Sequence, residues 1–207
     1  MSLQIYKPNS KNTGSAFTFQ KSTDKKSGAP VFYISAISQF SWDDSKKTGS
    51  FSGNAKNPQK TINVKISETE AGSFVSAFNS RYEYTAFHSF DGNSTTIKFT
   101  PWDKSTKVSK YNPSSKTYEE DFINVPAFGI TLSKGKGNSI KIALDPGEVE
   151  VVKNLFEIFI KSSLENKIQE AANSYAASRL NPPEAKSKKE KTPEASEASE
   201  EFEDVPF

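Results

Sequence analysis

Two stretches of the chain put flat rings and cations side by side. Phe40-Ser41-Trp42 is followed by Lys46, Lys47, Phe51 and Lys56, and Trp102 is followed by Lys104, Lys107, Lys110 and Tyr111. A lysine neutralises a phosphate, and an exposed ring stacks on an unpaired base, worth about 1–3 kcal/mol per base whatever its identity. Four more lysines, Lys60, Lys65, Lys98 and Lys141, lie in or beside segments where they alternate with Ile62, Val64, Ile97, Phe99 and Ile142. On strands, that alternation sends the lysines to the face opposite the apolar residues. The chain has 25 lysines and only two arginines, Arg81 and Arg179. Arginine forks read guanine in a duplex major groove. Lysine point charges beside rings suit sequence-tolerant binding of single strands instead.

Other chemistries find little support. There is no cysteine and a single histidine, His88. That excludes disulfides, thiolate metal sites and multi-histidine sites. The carboxylates Asp43-Asp44 and Glu119-Glu120-Asp121 fall in lysine-rich, hairpin-like stretches and read as solvated turn residues. No GxxxxGK[ST] phosphate loop is present. We therefore expect no catalytic residue, no metal, no cofactor and no enzymatic activity.

The elements that must position these lysines and rings come as an internal repeat. Residues 61–79, TINVKISETEAGSFVSAFN, match 139–157, SIKIALDPGEVEVVKNLFE, at an offset of 78. Each opens on period-two alternation, the pattern of a strand with one buried face. Each then meets a helix start: Ser67-x-x-Glu70 is a capping box, and Asp145-Pro146 is an N-cap followed by proline. Further strands are expected at 16–20, 31–42, 48–53, 81–90, 95–102, 117–125 and 122–133. A long helix is expected from Gly147 to about Ala177, with a break near Ser162-Ser163 as one option. Strands followed by a helix, twice over, predict an α+β fold of two antiparallel sheet-plus-helix repeats, at about 15–80 and 81–178. Phe17, Phe19, Phe32, Phe74, Phe78 and Phe99 are expected in its core. Both repeats are expected to share one broad sheet surface.

The stretch FSWDDSKKTGSFSGNAKNPQKTINVKISETEAGSFVSAF resembles the single-stranded-DNA-binding domain of the eukaryotic positive transcriptional coactivator. Two such units in tandem look like the Whirly family and its mitochondrial guide-RNA-binding relatives. The resemblance implies single-stranded DNA binding by residues 1–180. Two alternatives remain: a five-stranded oligonucleotide-binding barrel over 16–101, and an RNA-binding or transcription-regulating role on the same scaffold.

Charge divides the chain. Residues 181–207 hold four lysines and eight carboxylates, a balance of −4, so the net +2 leaves +6 on residues 1–180. The segment NPPEAKSKKEKTPEASEASEEFEDVPF is too polar to offset its ordering entropy, which predicts a disordered acidic tail. It ends in Phe202-Glu203-Asp204-Val205-Pro206-Phe207. That end is similar to the acidic tip of bacterial single-stranded-DNA-binding proteins. The similarity implies recruitment of replication, recombination or repair proteins, and a bacterial or bacteriophage setting. No apolar run suits a signal peptide or a membrane span, so a cytoplasmic location is expected. A homo-oligomer packed through the helices is the other partner expected.

Overall fold

Alternating apolar side chains lay down eight strands in two sheets, and two helices cover one face of each. The computed structural model describes residues 1–90, 92–135 and 137–180. The predicted tail and its tip at 202–207 therefore lie outside the described residues. Residues 1–170 form one compact unit.

The first sheet contains β1 (Ser2–Lys7), β2 (Ser15–Thr23), β3 (Pro30–Ser38) and β6 (Thr61–Ile66), in that order and antiparallel throughout. A small hairpin, β4 (Ser41–Asp43) and β5 (Thr48–Ser50), is inserted between β3 and β6, followed by a single helical turn at Ser52–Asn54. Helix α1 (Glu68–Ser80) closes this repeat. The second sheet runs β7 (Tyr84–Phe90), β8 (Asn93–Asn112), β9 (Thr117–Lys134) and β10 (Asn138–Leu144), again antiparallel and in sequence order. Helix α2 (Pro146–Leu180) follows. The strands β6 and β10, aligned by the repeat in the sequence, occupy the same fourth place in their sheets. The α+β fold of two antiparallel sheet-plus-helix repeats stands as expected.

The capping box before α1 forms in full: the Ser67 side chain accepts from the Glu70 amide, and Glu70 accepts from the Ser67 amide. At α2 the Asp145 amide donates to Glu148 Oε2 at 2.8 Å. One core joins both sheets and both helices. Phe32 packs on Phe156 and Phe159, and Phe74 stacks on Phe99 at 4.2 Å between ring centres. All six phenylalanines expected in the core are buried. Aromatic packing of this kind adds about 0.5–1.5 kcal/mol per pair beyond area burial.

Four features differ from the sequence reading. Strand β1 precedes the first repeat's expected start and pairs with β2 from Ser2↔Gln20 to Lys7↔Ser15. The strands of the two repeats form separate four-stranded sheets rather than one continuous sheet; Ser15 Oγ bridges them by donating to the Lys141 carbonyl at 2.6 Å. Helix α2 runs unbroken through Ser162-Ser163, where the Ser162 hydroxyl donates to the Ile158 carbonyl and the Ser163 hydroxyl to Glu68. The barrel alternative over 16–101 fails, since those residues divide between two open sheets.

Beyond its neighbours the second sheet continues as a two-stranded ribbon. β7 pairs with β8 only as far as Tyr84↔Phe99, and β10 with β9 only as far as Leu144↔Phe128. From Trp102↔Ala127 to Asn112↔Thr117, β8 and β9 pair with each other alone. At about 3.3 Å per residue the ribbon extends about 36 Å.

Candidate nucleic-acid interface

The faces of the sheets turned away from the helices follow from the alternation. In β6, Ile62, Val64 and Ile66 are buried while Asn63 and Lys65 are exposed. In β10, Ile140, Ile142 and Leu144 are buried while Ser139, Lys141 and Ala143 are exposed. Lys98 projects from the same side of β8, next to Thr131 and Thr85. Lys60 stands one residue before β6, where its amide donates to the Asn57 carbonyl.

Along the seam between the sheets, two grooves flank Lys141. The first has a volume of about 530 Å³. Its floor is Thr100, Gly129 and Ala143, neighbours across β8, β9 and β10. A Cβ on Gly129 would meet nothing closer than the Thr100 carbonyl at 3.8 Å, so the missing side chain leaves open space. Trp102, 38% exposed, forms part of the lining, as do Lys141 and the polar Asn9 and Thr13. The second groove, about 420 Å³, continues past Lys141 to Lys60, Ser38 and Ser139.

The loop between β1 and β2, residues 8–14, lines both grooves. Its sequence, PNSKNTG, is rich in turn formers. The Asn9 side chain accepts from the amides of Lys11 at 3.0 Å and Thr13 at 3.2 Å. Buried Gln39 fastens the loop. Its Oε1 accepts from the Asn9 amide at 2.8 Å, and its Nε2 donates to the Asn9 carbonyl at 2.9 Å and the Ser41 carbonyl at 3.0 Å. A side chain at Gly14 would overlap Gln39 and the Lys7 carbonyl, and one at Gly49 would overlap Pro8, so both positions need glycine. The β4–β5 hairpin is thereby held against the loop.

The aromatic candidates divide. Trp102 reaches the groove. Trp42 is half-buried on the hairpin and donates its indole N–H to Asp44 at 3.1 Å. Phe40 is exposed and lies over Gly53, and Phe51 packs on Tyr6 at 5.7 Å. Tyr111 sits near the ribbon tip against Tyr118, away from the grooves.

The lysines divide by partner. Lys47 lies 3.6 Å from Asp44, Lys98 2.9 Å from Glu83, and Lys107 pairs with Glu120. Lys104 reaches Asp145 at 2.6 Å. Among the described residues, Lys46, Lys56, Lys60, Lys65, Lys110 and Lys141 have no carboxylate within 4 Å. Lys104 and Lys7 hold Asp145, and their hydrogen bonds, Lys104 first, lower its pKa against the effect of burial. Desolvation acts to lower the Lys7 pKa, but the hydrogen bonds it donates to Glu148 and Asp145, with their negative charge, outweigh it and the net shift is upward. These two lysines tie β1 and the ribbon base to the start of α2.

Several groove residues escape the sequence reading. Asn9, Thr13, Thr100, Gly129, Thr131 and the buried Gln39 belong to no charged or aromatic cluster. Only the turn-forming run at 8–14 hinted at a structured loop. Phe87 is a further exposed ring, in line with Thr96 and Ser133 across the outer face.

The crystal structure of WHY1 from Arabidopsis thaliana matches the chain with a TM-score of 0.51. The fold is Whirly-like. The likeness covers 87% of this chain and 93% of WHY1, at 18% sequence identity. No family model matches the sequence. No curated protein matches it.

The described residues contain no cluster of three or more metal-ligating side chains and no helix long and apolar enough to cross a membrane.

Proposed function

We propose that this Whirly-like chain is a non-enzymatic protein that binds single-stranded DNA with little regard to sequence. The observation that carries the reading is the groove beside Lys141. A small-residue floor lies open next to a partly exposed indole and a lysine without a carboxylate partner. A nucleotide offers what such a groove lacks: a flat base for Trp102 and a phosphate for Lys141 and Lys60. The shallow, side-chain-poor floor contains no forked donor pair to select one base. The motif-level resemblance of residues 40–78 to a single-stranded-DNA-binding domain supports the same reading.

The finer parts of the proposal rest on sequence. The segment from Phe202 to Phe207 recruits replication, recombination or repair proteins: its carboxylates steer it to a basic pocket that takes Phe207. The work is done in the cytoplasm of a bacterial or infected host cell. Exposed Val151, Ile158, Leu164 and Ile168 on α2 offer apolar surface for packing against a second copy.

The test is a fluorescence titration with oligo-dT, oligo-rU and duplex at two salt concentrations. Salt-sensitive binding of oligo-dT with tryptophan quenching is expected, with duplex bound more weakly. Preference for duplex, or binding without quenching, refutes the proposal. A preference for oligo-rU transfers the site to RNA.

A further inference from the structure

Beyond Trp102 and Ala127 the ribbon has no part in the core, yet it exposes three rings on one face. Tyr118 is 74% exposed, Phe122 66% and Tyr111 51%. Register puts them together: Tyr111 is opposite Tyr118, and Phe122 opposite Lys107. Strand alternation adds Asp103, Ser105 and Ser109 from β8, and Glu120, Asn124 and Pro126 from β9, to the same face.

This face is poorly suited to a nucleic-acid strand. Between residues 103 and 125 the four lysines 104, 107, 110 and 116 are balanced by Asp103, Glu119, Glu120 and Asp121. Lys107, the lysine among the rings, already pairs with Glu120. A phosphate chain laid there would gain no net attraction. Neutral surface rich in tyrosine and phenylalanine is the composition of a protein contact.

The pattern of residues is self-complementary. Turning one ribbon end-for-end onto another, about an axis through the Lys107–Phe122 row, sets Phe122 against its own counterpart. It also sets Tyr118 against Pro126, Glu120 against Asn124, Tyr111 against Asp103 and Lys107 against the other Lys107. Each of these lysines keeps its own Glu120, and Asp103 its own Arg81, so the facing charges are paired within each copy. The area is modest. A face about 36 Å long and about 10 Å wide gives about 700 Å² over two copies, below the roughly 1,200 Å² of a stable interface. A contact of that size forms poorly between free molecules and well between molecules already tethered to the same strand, where effective concentration is high.

We infer that the β8–β9 ribbon is the contact between copies of this chain bound to one single strand, and that it makes their binding cooperative. The inference rests on the reading of the chain as a single-strand binder. It is tested with full-length protein and a triple variant, Tyr111→Ser/Tyr118→Ser/Phe122→Ser, on a short oligo-dT that holds one copy and a long one that holds several. Thermal melting should be the same for both proteins, since the three rings lie outside the core. On the short oligonucleotide the affinities should agree within about twofold. On the long one wild type should saturate cooperatively, and the variant should lose that cooperativity with an affinity about tenfold lower. Unchanged cooperativity in the variant overturns the inference, as does a wild type that fills the long strand without cooperativity. An equal loss on the short oligonucleotide also overturns it, because the ribbon would then touch the strand itself. Failure of wild type to bind the short oligonucleotide at all is a different result, and it removes the single-strand reading first.

Discussion

Replacing Lys60 and Lys141 together by glutamine should flatten the salt dependence of oligo-dT binding. The magnitude follows from which lysines have partners. Of the ten lysines in the two ring-and-cation clusters and the four strand positions, Lys47, Lys98, Lys104 and Lys107 each have a carboxylate within 4 Å. A paired lysine releases few counterions on meeting phosphate. Of the other six, Lys110 is opposite Glu119 on the ribbon, and Lys65 lies at the far end of β6 beside Asp24. Lys46 is in the turn of the β4–β5 hairpin and Lys56 follows the helical turn at Ser52–Asn54, both without a carboxylate partner, and Lys60 and Lys141 line the second groove. Four phosphate contacts give a slope of log K against log salt of about −2.8, at about −0.7 per contact for single strands. The double variant should show about −1.4. Between about 50 and 200 mM salt, wild type should then lose about 50-fold in affinity and the variant about 7-fold. Anisotropy of a labelled oligo-dT across that range measures both slopes. A Lys98→Gln/Lys107→Gln protein serves as the control and should keep the wild-type slope. If the groove variant keeps the full slope, or the control flattens as much, then partner-free lysines at the seam do not set the electrostatics and the reasoning fails.

Four other outcomes are expected. Trp102→Ala should weaken oligo-dT binding by about 1–3 kcal/mol, roughly 5- to 150-fold, and remove most of the fluorescence quenching while leaving thermal unfolding close to wild type; quenching that stays with Trp42 alone would contradict it. Gly129→Val should fill the groove floor without altering charge, lowering affinity at least tenfold at an unchanged salt slope, as a parallel titration would show. Gln39→Ala leaves the Asn9 amide and carbonyl without their partners and should cost about 2–3 kcal/mol in denaturant unfolding. Glu68 accepts from Ser163 and its own amide and pairs with Lys167 at 3.0 Å, which lowers its pKa to about 2. A depressed carboxylate contributes stability in full above its unfolded value near 4.5, and that contribution disappears as pH falls toward about 2. With the side chain 31% exposed, about 1–2 kcal/mol is expected, so Glu68→Gln should be less stable than wild type at neutral pH and converge with it near pH 2.

Burial was legible in the sequence, and hydrogen-bond architecture was not. Strands β6 and β10 announced themselves because every second residue is apolar and one face is sealed. The start of α1 was equally clear, since a capping box is a local pattern of two residues. Strand β1 escaped because it offers only Leu3 and Ile5 to the core, and its pairing with β2 supplies the rest. The ribbon beyond Trp102 was read in pieces, because residues 103–125 bury no continuous face and are held by backbone pairing. For the candidate site, the sequence marked Trp102, Lys60 and Lys141 but not what brings them near one another. Gln39, the Asn9 loop and the gap at Gly129 depend on contacts between segments far apart in the chain. No spacing rule encodes them. Ion pairing was also hidden: Lys104 and Lys141 look alike as letters, yet one faces Asp145 and the other open solvent.

The two repeats are joined in one polypeptide, and they carry different additions. The first inserts the β4–β5 hairpin before its last strand, and the second lengthens its middle strands into the ribbon. A symmetric dimer of one repeat would offer every surface twice and would read a strand identically from either end. The joined pair is asymmetric, with the hairpin only in the first repeat and the ribbon only in the second, so a strand threaded 5′ to 3′ meets a different order of features from one threaded 3′ to 5′. Polarity, which a symmetric dimer cannot sense, is thereby available to this one.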